Sequence, residues 1–126
     1  MAVFNLSPLF QPQYVANAAA ALTFAPAGGT TVPAGYQYRI DTLRVTNITS
    51  APVSLKVWRV PSGSTDDNQH IVIPVTVLVP VGVSTFPQFD VTALWGAVLS
   101  AGDAIWAVAG SASALVIQGD GVVAQL

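Results

Sequence analysis

RIDTLRVTNITSAPVSLKVWRVPSG, residues 39–63, is the stretch that decides the fold. Leu43 and Val45 alternate with Arg44 and Thr46, and Val53, Leu55 and Val57 alternate with Ser54, Lys56 and Trp58. Period-two alternation marks strands with one buried and one exposed face. Asn47, Ser50 and Pro52 lie between the two runs and suit a chain reversal, so the stretch reads as a hairpin. Its expected core face is Val53, Leu55 and Val57, with Lys56 and Trp58 outward. All four basic residues, Arg39, Arg44, Lys56 and Arg59, lie in or beside it. A negatively charged partner would be met there.

Outward from this stretch the pattern repeats. Tyr36, Tyr38 and Ile40 share one parity, while Leu43 and Val45 share the other, so a bulge is expected at Asp41-Thr42. Residues 26–35, PAGGTTVPAG, form a loop, and residues 17–22 read either as one helical turn capped by Asn17 or, by preference, as the start of a strand ending at Phe24. In residues 71–83 apolar residues alternate with Pro74 and Pro80. Proline cannot donate to a ladder, so this strand belongs at an edge or is interrupted. Residues 83–89 give a further strand. Val91, Leu94, Trp95 and Val98 recur at helical spacing behind a possible Asp90 cap. Ala104–Ala109, Ala114–Gln118 and Val122–Gln125 complete the series, with Gly119-Asp120-Gly121 read as a turn. Short strands separated by Gly, Pro and Asp turns indicate an all-β sandwich. About seven or eight strands in this length fit a jelly roll.

The 126 residues suit a single domain. A chain of that length buries about two-thirds of its unfolded surface and needs no staples. There is no cysteine, which excludes disulfides and thiolate metal sites. Residues 1–12, with Phe4, Leu6, Leu9 and Phe10 between Pro8 and Pro12, read as an extended N-terminal arm ahead of a sandwich domain over 13–126. Four large apolar residues there favour docking on a neighbour or on the chain's own sheet. Residues 1–10 carry no basic segment and no long apolar core, so no signal peptide is expected. The apolar run at 71–83 is too broken to span a membrane.

Charge is scarce: 8% of residues, against about a quarter in ordinary domains, with a formal net charge of −2. Four cations do not supply the cluster that nucleic acid requires. A surface so poor in charge suits a subunit covered in an assembly.

Catalytic patterns are nearly absent. Any Ser-His-Asp arrangement must use His70, the sole histidine, in a polar loop with Ser62, Ser64, Asp66 and Asp67. Composition without geometry is not a triad. Asp66, Asp67 and His70 also fail the spacing and glycine of a calcium loop. No phosphate loop or dinucleotide fingerprint occurs. Asp41, Asp90, Asp103 and Asp120 sit mostly in turns, where Asp serves the backbone. Asn47-Ile48-Thr49 matches a glycosylation sequon but reads as a turn. No enzyme activity, metal or cofactor is expected.

RVTNITSAPVSLKVWRVPSG (44–63), DDNQHIVI (66–73) and VLSAGDAIWAVAG (98–110) together resemble small structural proteins of tailed bacteriophages, over Ile40 to Gly110. The shared features are turn chemistry between alternating strands. The resemblance implies a β-sandwich subunit of the virion, of the head decoration (cement) type, made in the host cytoplasm and placed on the capsid surface. Its implied partners are the major capsid protein and further copies of itself, as a dimer or trimer, with no nucleic acid or membrane. The alternative is a tail- or fibre-associated module that binds carbohydrate or a receptor, with Trp58 stacking on sugar. The candidate interface residues are Phe4, Leu6, Leu9 and Phe10 of the arm and Arg44, Lys56 and Trp58 of the hairpin.

Overall fold

The computed structural model describes residues 3–65, 68–79 and 88–126. Among them are nine strands: β1 Val3–Tyr14, β2 Ala20–Ala21, β3 Tyr36–Asn47, β4 Val53–Val60, β5 Ile71–Val79, β6 Gln88–Asp90, β7 Val98–Leu99, β8 Ala104–Ala109 and β9 Leu115–Gln125. They form two antiparallel sheets. The first runs β1-β9-β3-β6, with β7 also on β3, and the second runs β2-β8-β4-β5. The order β1-β9-β3-β6 over β2-β8-β4-β5 is that of a jelly roll. The all-β sandwich expected from the alternation is therefore the fold.

Residues 39–63 do not form a hairpin. β3 pairs with β9, β6 and β7, whereas β4 pairs with β8 and β5. The two strands face each other across the core, and the turn between them is a corner from one sheet to the other. Asn47 builds that corner and is itself buried. Its amide donates to Ala51 O at 2.9 Å, and its Oδ1 accepts from Thr49 N at 2.9 Å and Thr49 Oγ1 at 2.7 Å. The sequon's Asn47 is a buried turn organiser. Alternation shows which side chains are buried but not which strand is the neighbour, and a corner satisfies it as well as a hairpin.

The core lies between the sheets and includes Leu43 and Val45 from β3, Val53, Leu55 and Val57 from β4, and Leu115 and Ile117 from β9. At one end Phe24 packs between Phe10 and Tyr38, with ring centroids at 5.0 and 5.1 Å. Such tilted and edge-on pairs add to simple area burial. The bulge expected at Asp41-Thr42 is present as a register break between Ile40 and Thr42. The proline-bearing strand β5 is the edge of the second sheet, and its register on β4 breaks between Leu55 and Val57. Pro80 and residues 83–87 lie outside the described residues.

Three expectations change. Gly119-Asp120-Gly121 is not a turn but the middle of β9. A Cβ at Gly121 would strike Arg39 O, with Leu9 Cδ1 at 2.6 Å, and one at Gly119 would strike Thr42 O. Glycine is required there for close backbone approach. Asp90 caps no helix; it ends β6, and Val91 precedes a single 3-10 turn at Thr92–Leu94 without a side-chain cap. Residues 1–12 are not an arm apart from a 13–126 domain. Val3–Tyr14 is strand β1, paired along its length with β9. Pro8 and Pro12 stop a helix but not an edge strand.

Candidate protein-interaction face

The seven residues expected at an interface are dispersed by the fold. Leu9 and Phe10 are in the core, at 0% and 1% exposure. A register break between Pro8 and Phe10 inserts an extra residue in β1, so two consecutive side chains turn inward. Phe4 and Leu6, before the break, stand on the outer face at 67% and 85% exposure. Arg44 is on that same face. Lys56 and Trp58 belong to the other sheet and point away from the core on its outer side.

Trp58 is not outward in the sense expected: only 4% of it is exposed. Its register neighbours are Ile71 and Trp106, and the Lys56 ammonium sits 4.7 Å from its ring centroid. The indole N–H has no hydrogen-bond partner among the described residues. A covered indole cannot stack on a sugar.

Register defines the outer face of the first sheet. Leu115 and Ile117 point inward, so Val116, Gln118, Asp120, Val122 and Ala124 point outward. Leu6 lies opposite Val122, which lies opposite Arg39, which lies opposite Val98. Phe4 lies opposite Ala124, and Tyr14 opposite Val116. The result is an apolar area around Phe4, Leu6, Val122 and Val98 and a second around Tyr14 and Val116. Val98 and Tyr14 are 46% and 59% exposed. Arg39 stands within the first area, between Val122 and Val98, and between the two areas runs a polar belt of Asp41, Arg44, Asp90 and Asp120. Clefts run along this face beside β9; the one beside Pro8, Pro12, Arg44 and Asp120 holds about 350 Å³.

The basic residues are engaged within the chain. Arg39 pairs with Asp41 at 2.8 Å and Arg44 with Asp90 at 3.4 Å. Asp41, by hydrogen bond and then by charge, holds the Arg39 guanidinium above its ordinary range. Arg59 donates to Val98 O, and Lys56 lies over Trp58. The concentration of cations near residues 39–63 is therefore not an unpartnered positive patch.

Asp103 serves the backbone as expected, accepting from Ser62 N at 3.0 Å and Ser100 N at 2.9 Å. His70 Nδ1 lies 3.0 Å from Thr65 O. Asp66 and Asp67 lie outside the described residues. Among the described residues no group of three or more His, Cys, Asp or Glu is placed to hold a metal, and no helix is long and apolar enough to cross a membrane.

Val98, Val122 and Tyr14 were missed by sequence reasoning. Reading Gly119–Gly121 as a turn cut β9 in two and lost the parity that runs from Val116 to Ala124. Unbroken alternation through the glycines would have set Val116 and Val122 on one face of a single strand.

No protein-family model matches this chain, and no curated protein matches it. Among solved structures it is similar to a chain in the structure of infectious bursal disease virus, Gt strain, at 10% identity and a TM-score of 0.31. The match covers 98% of this chain and 31% of that one. This chain thus spans under a third of the solved chain's length, and a likeness of that size carries no functional argument.

Proposed function

We propose that this chain is a structural subunit of a virus particle, and specifically a head decoration (cement) protein of a tailed bacteriophage. In this reading it lies on the outer surface of the major capsid protein lattice and stabilises the head, without catalysis, metal or cofactor. One observation carries the reading: the outer face of the first sheet displays Phe4, Leu6 and Val98 at 67%, 85% and 46% exposure. Large apolar side chains gathered on one face mark an association surface. The chain's low charge and its resemblance to small phage structural proteins agree with it. Jelly rolls occur in capsids, lectins and cupins alike, so the fold by itself does not choose. The carbohydrate-binding alternative rested on an outward Trp58, and the burial of that residue removes its support.

The test is co-sedimentation with phage heads that lack this protein, scored with the double variant Phe4→Ser, Leu6→Ser and with circular dichroism as folding control. The expected result is saturable binding by the native chain and at least a tenfold weaker association for the folded variant. Absence of binding to heads, or equal binding by the variant, refutes the reading.

A further inference from the structure

β1 is the outermost strand of its sheet, so among the described residues one of its edges has no neighbouring strand. Which backbone groups face that edge follows from the hydrogen-bond alternation of β9. Val15 N donates to Leu115 O, so Leu115 turns its backbone toward β1. Ile48 N donates to Ala114 O, and Leu126 N donates to Gly35 O, so the even residues of β9 turn toward β3. The register breaks beside β9 insert their extra residues in β1 and β3 and none in β9, so its odd residues face β1 throughout. Val3, Asn5 and Ser7 lie opposite Gln125, Val123 and Gly121 and are the hydrogen-bonded partners. Phe4, Leu6 and Pro8 therefore turn their backbone groups to the open edge.

The far half of that edge is already closed. Ala25 N donates to Leu9 O at 2.7 Å. The Gln13 side chain imitates a strand neighbour, accepting from Thr23 N and donating to Thr23 O, both at 3.0 Å. Pro8 and Pro12 sit where the missing N–H would have faced outward, a recognised way to blunt an edge. From Val3 to Ser7 the outward backbone donors and acceptors are unused among the described residues.

We propose that this open segment pairs antiparallel with the same segment of a second copy of the chain, joining two sheets into one about a two-fold axis at Asn5. Charge and shape single out a second copy as the occupant. Val3–Tyr14 contains no charged residue, so two copies meet without like-charge repulsion and without desolvating an ion. Edge strands are normally protected by such charges. With Asn5 on the axis, the outward backbone of Phe4 meets that of Leu6 in the other copy, and the reverse. Two hydrogen-bonded residue pairs form, giving about four main-chain bonds. The Phe4 and Leu6 side chains then stack across the junction on the outer face. A two-fold contact is closed and does not propagate into fibres. So short a junction buries less than the roughly 1,200–2,000 Å² of a stable complex, so the pairing is reversible and concentration-dependent. It is independent of binding to heads.

The test is analytical ultracentrifugation of the full chain over a concentration series, with amide hydrogen exchange on the same samples. The expected mass rises toward twice the 13.0 kDa of one chain. Phe4 and Leu6 amides gain protection with concentration, while Asn5 and Ser7 are protected throughout. Leu6→Pro removes one outward donor and no bond to β9, so it stays folded and loses the dimer, whereas Leu6→Val keeps it. A chain that remains monomeric into the millimolar range overturns the proposal, as does a dimer indifferent to Leu6→Pro. Edge amides protected only when heads are added also overturn it, because the occupant is then a strand of the partner.

Discussion

The two halves of β1 should respond oppositely to truncation. Phe10 is fully buried, stacks on Phe24 and sits one residue beyond the break that turns β1 inward. Phe10→Ala removes a ring from a close-packed site and should cost about 3–5 kcal/mol. That is a large share of the roughly 5–15 kcal/mol of a typical domain. Phe4, by contrast, is 67% exposed and lies opposite Ala124 on the outer face. Phe4→Ala should cost less than about 1 kcal/mol. Urea unfolding followed by tryptophan fluorescence measures both. The same logic forbids treating residues 1–11 as a removable arm. Their deletion takes Leu9 and Phe10 out of the core, and burial of each is worth about 1.5–3 kcal/mol. The truncated chain should be destabilised or unfolded, not a sandwich that has merely lost its partner. If Phe10→Ala is nearly neutral, or Phe4→Ala costs more than Phe10→Ala, the inward turn at the break is wrong.

Asn47→Ala should cost about 1–3 kcal/mol in the same unfolding assay, because it takes the acceptor from the Thr49 amide and one of two donors from the Ala51 carbonyl at a sheet corner. Gly121→Ala should be far more damaging than its size suggests, since the new methyl meets Arg39 O in the adjacent strand; soluble yield and thermal melting report it. Burial, and next the neighbouring Tyr36, raises the Tyr38 hydroxyl above its ordinary range. The folded state therefore holds that proton more tightly than the unfolded one. Stability should be intact below about pH 10 and fall as pH rises through the folded value. Tyr38→Phe should flatten that alkaline loss in a pH series of melting temperatures.

Much of the sandwich was legible because alternation reports burial directly. Leu43, Val45, Val53, Leu55 and Val57 are core as their parity required. The parity switch at Asp41-Thr42 is a real bulge. What alternation cannot carry is pairing, which is why a corner at Asn47 looked like a hairpin. Glycine was ambiguous for a similar reason. In Gly119 and Gly121 the absent side chain makes room for a neighbouring backbone, and nothing local separates that use from a turn. The candidate face was half-visible. Phe4 and Leu6 stand out as apolar residues two apart, but the break after Pro8 hides that Leu9 and Phe10 point the other way. Trp58 shows the complementary error: a residue off the core parity can still be covered on the far side of its sheet.

The internal use of the cations has a consequence for any partner. Arg39 and Arg44 are paired with Asp41 and Asp90, Arg59 with a carbonyl, and Lys56 with an indole. Recruiting one of them to an outside anion would break an existing contact, so little net Coulomb energy is available for binding. The attraction must come from apolar burial at Phe4, Leu6, Val98 and Val122. Apolar association is not screened by salt, whereas charge steering weakens as the Debye length shrinks from about 10 Å at 0.1 M to about 3 Å at 1 M. Association with heads should therefore change less than about threefold between low salt and 0.5 M sodium chloride. It should strengthen in sulfate, which favours burial of apolar surface. Sedimentation binding isotherms at three salt concentrations test this. A tenfold loss across that range would mean that charged groups carry the contact, and would move the interface from the apolar areas of the first sheet to its polar belt.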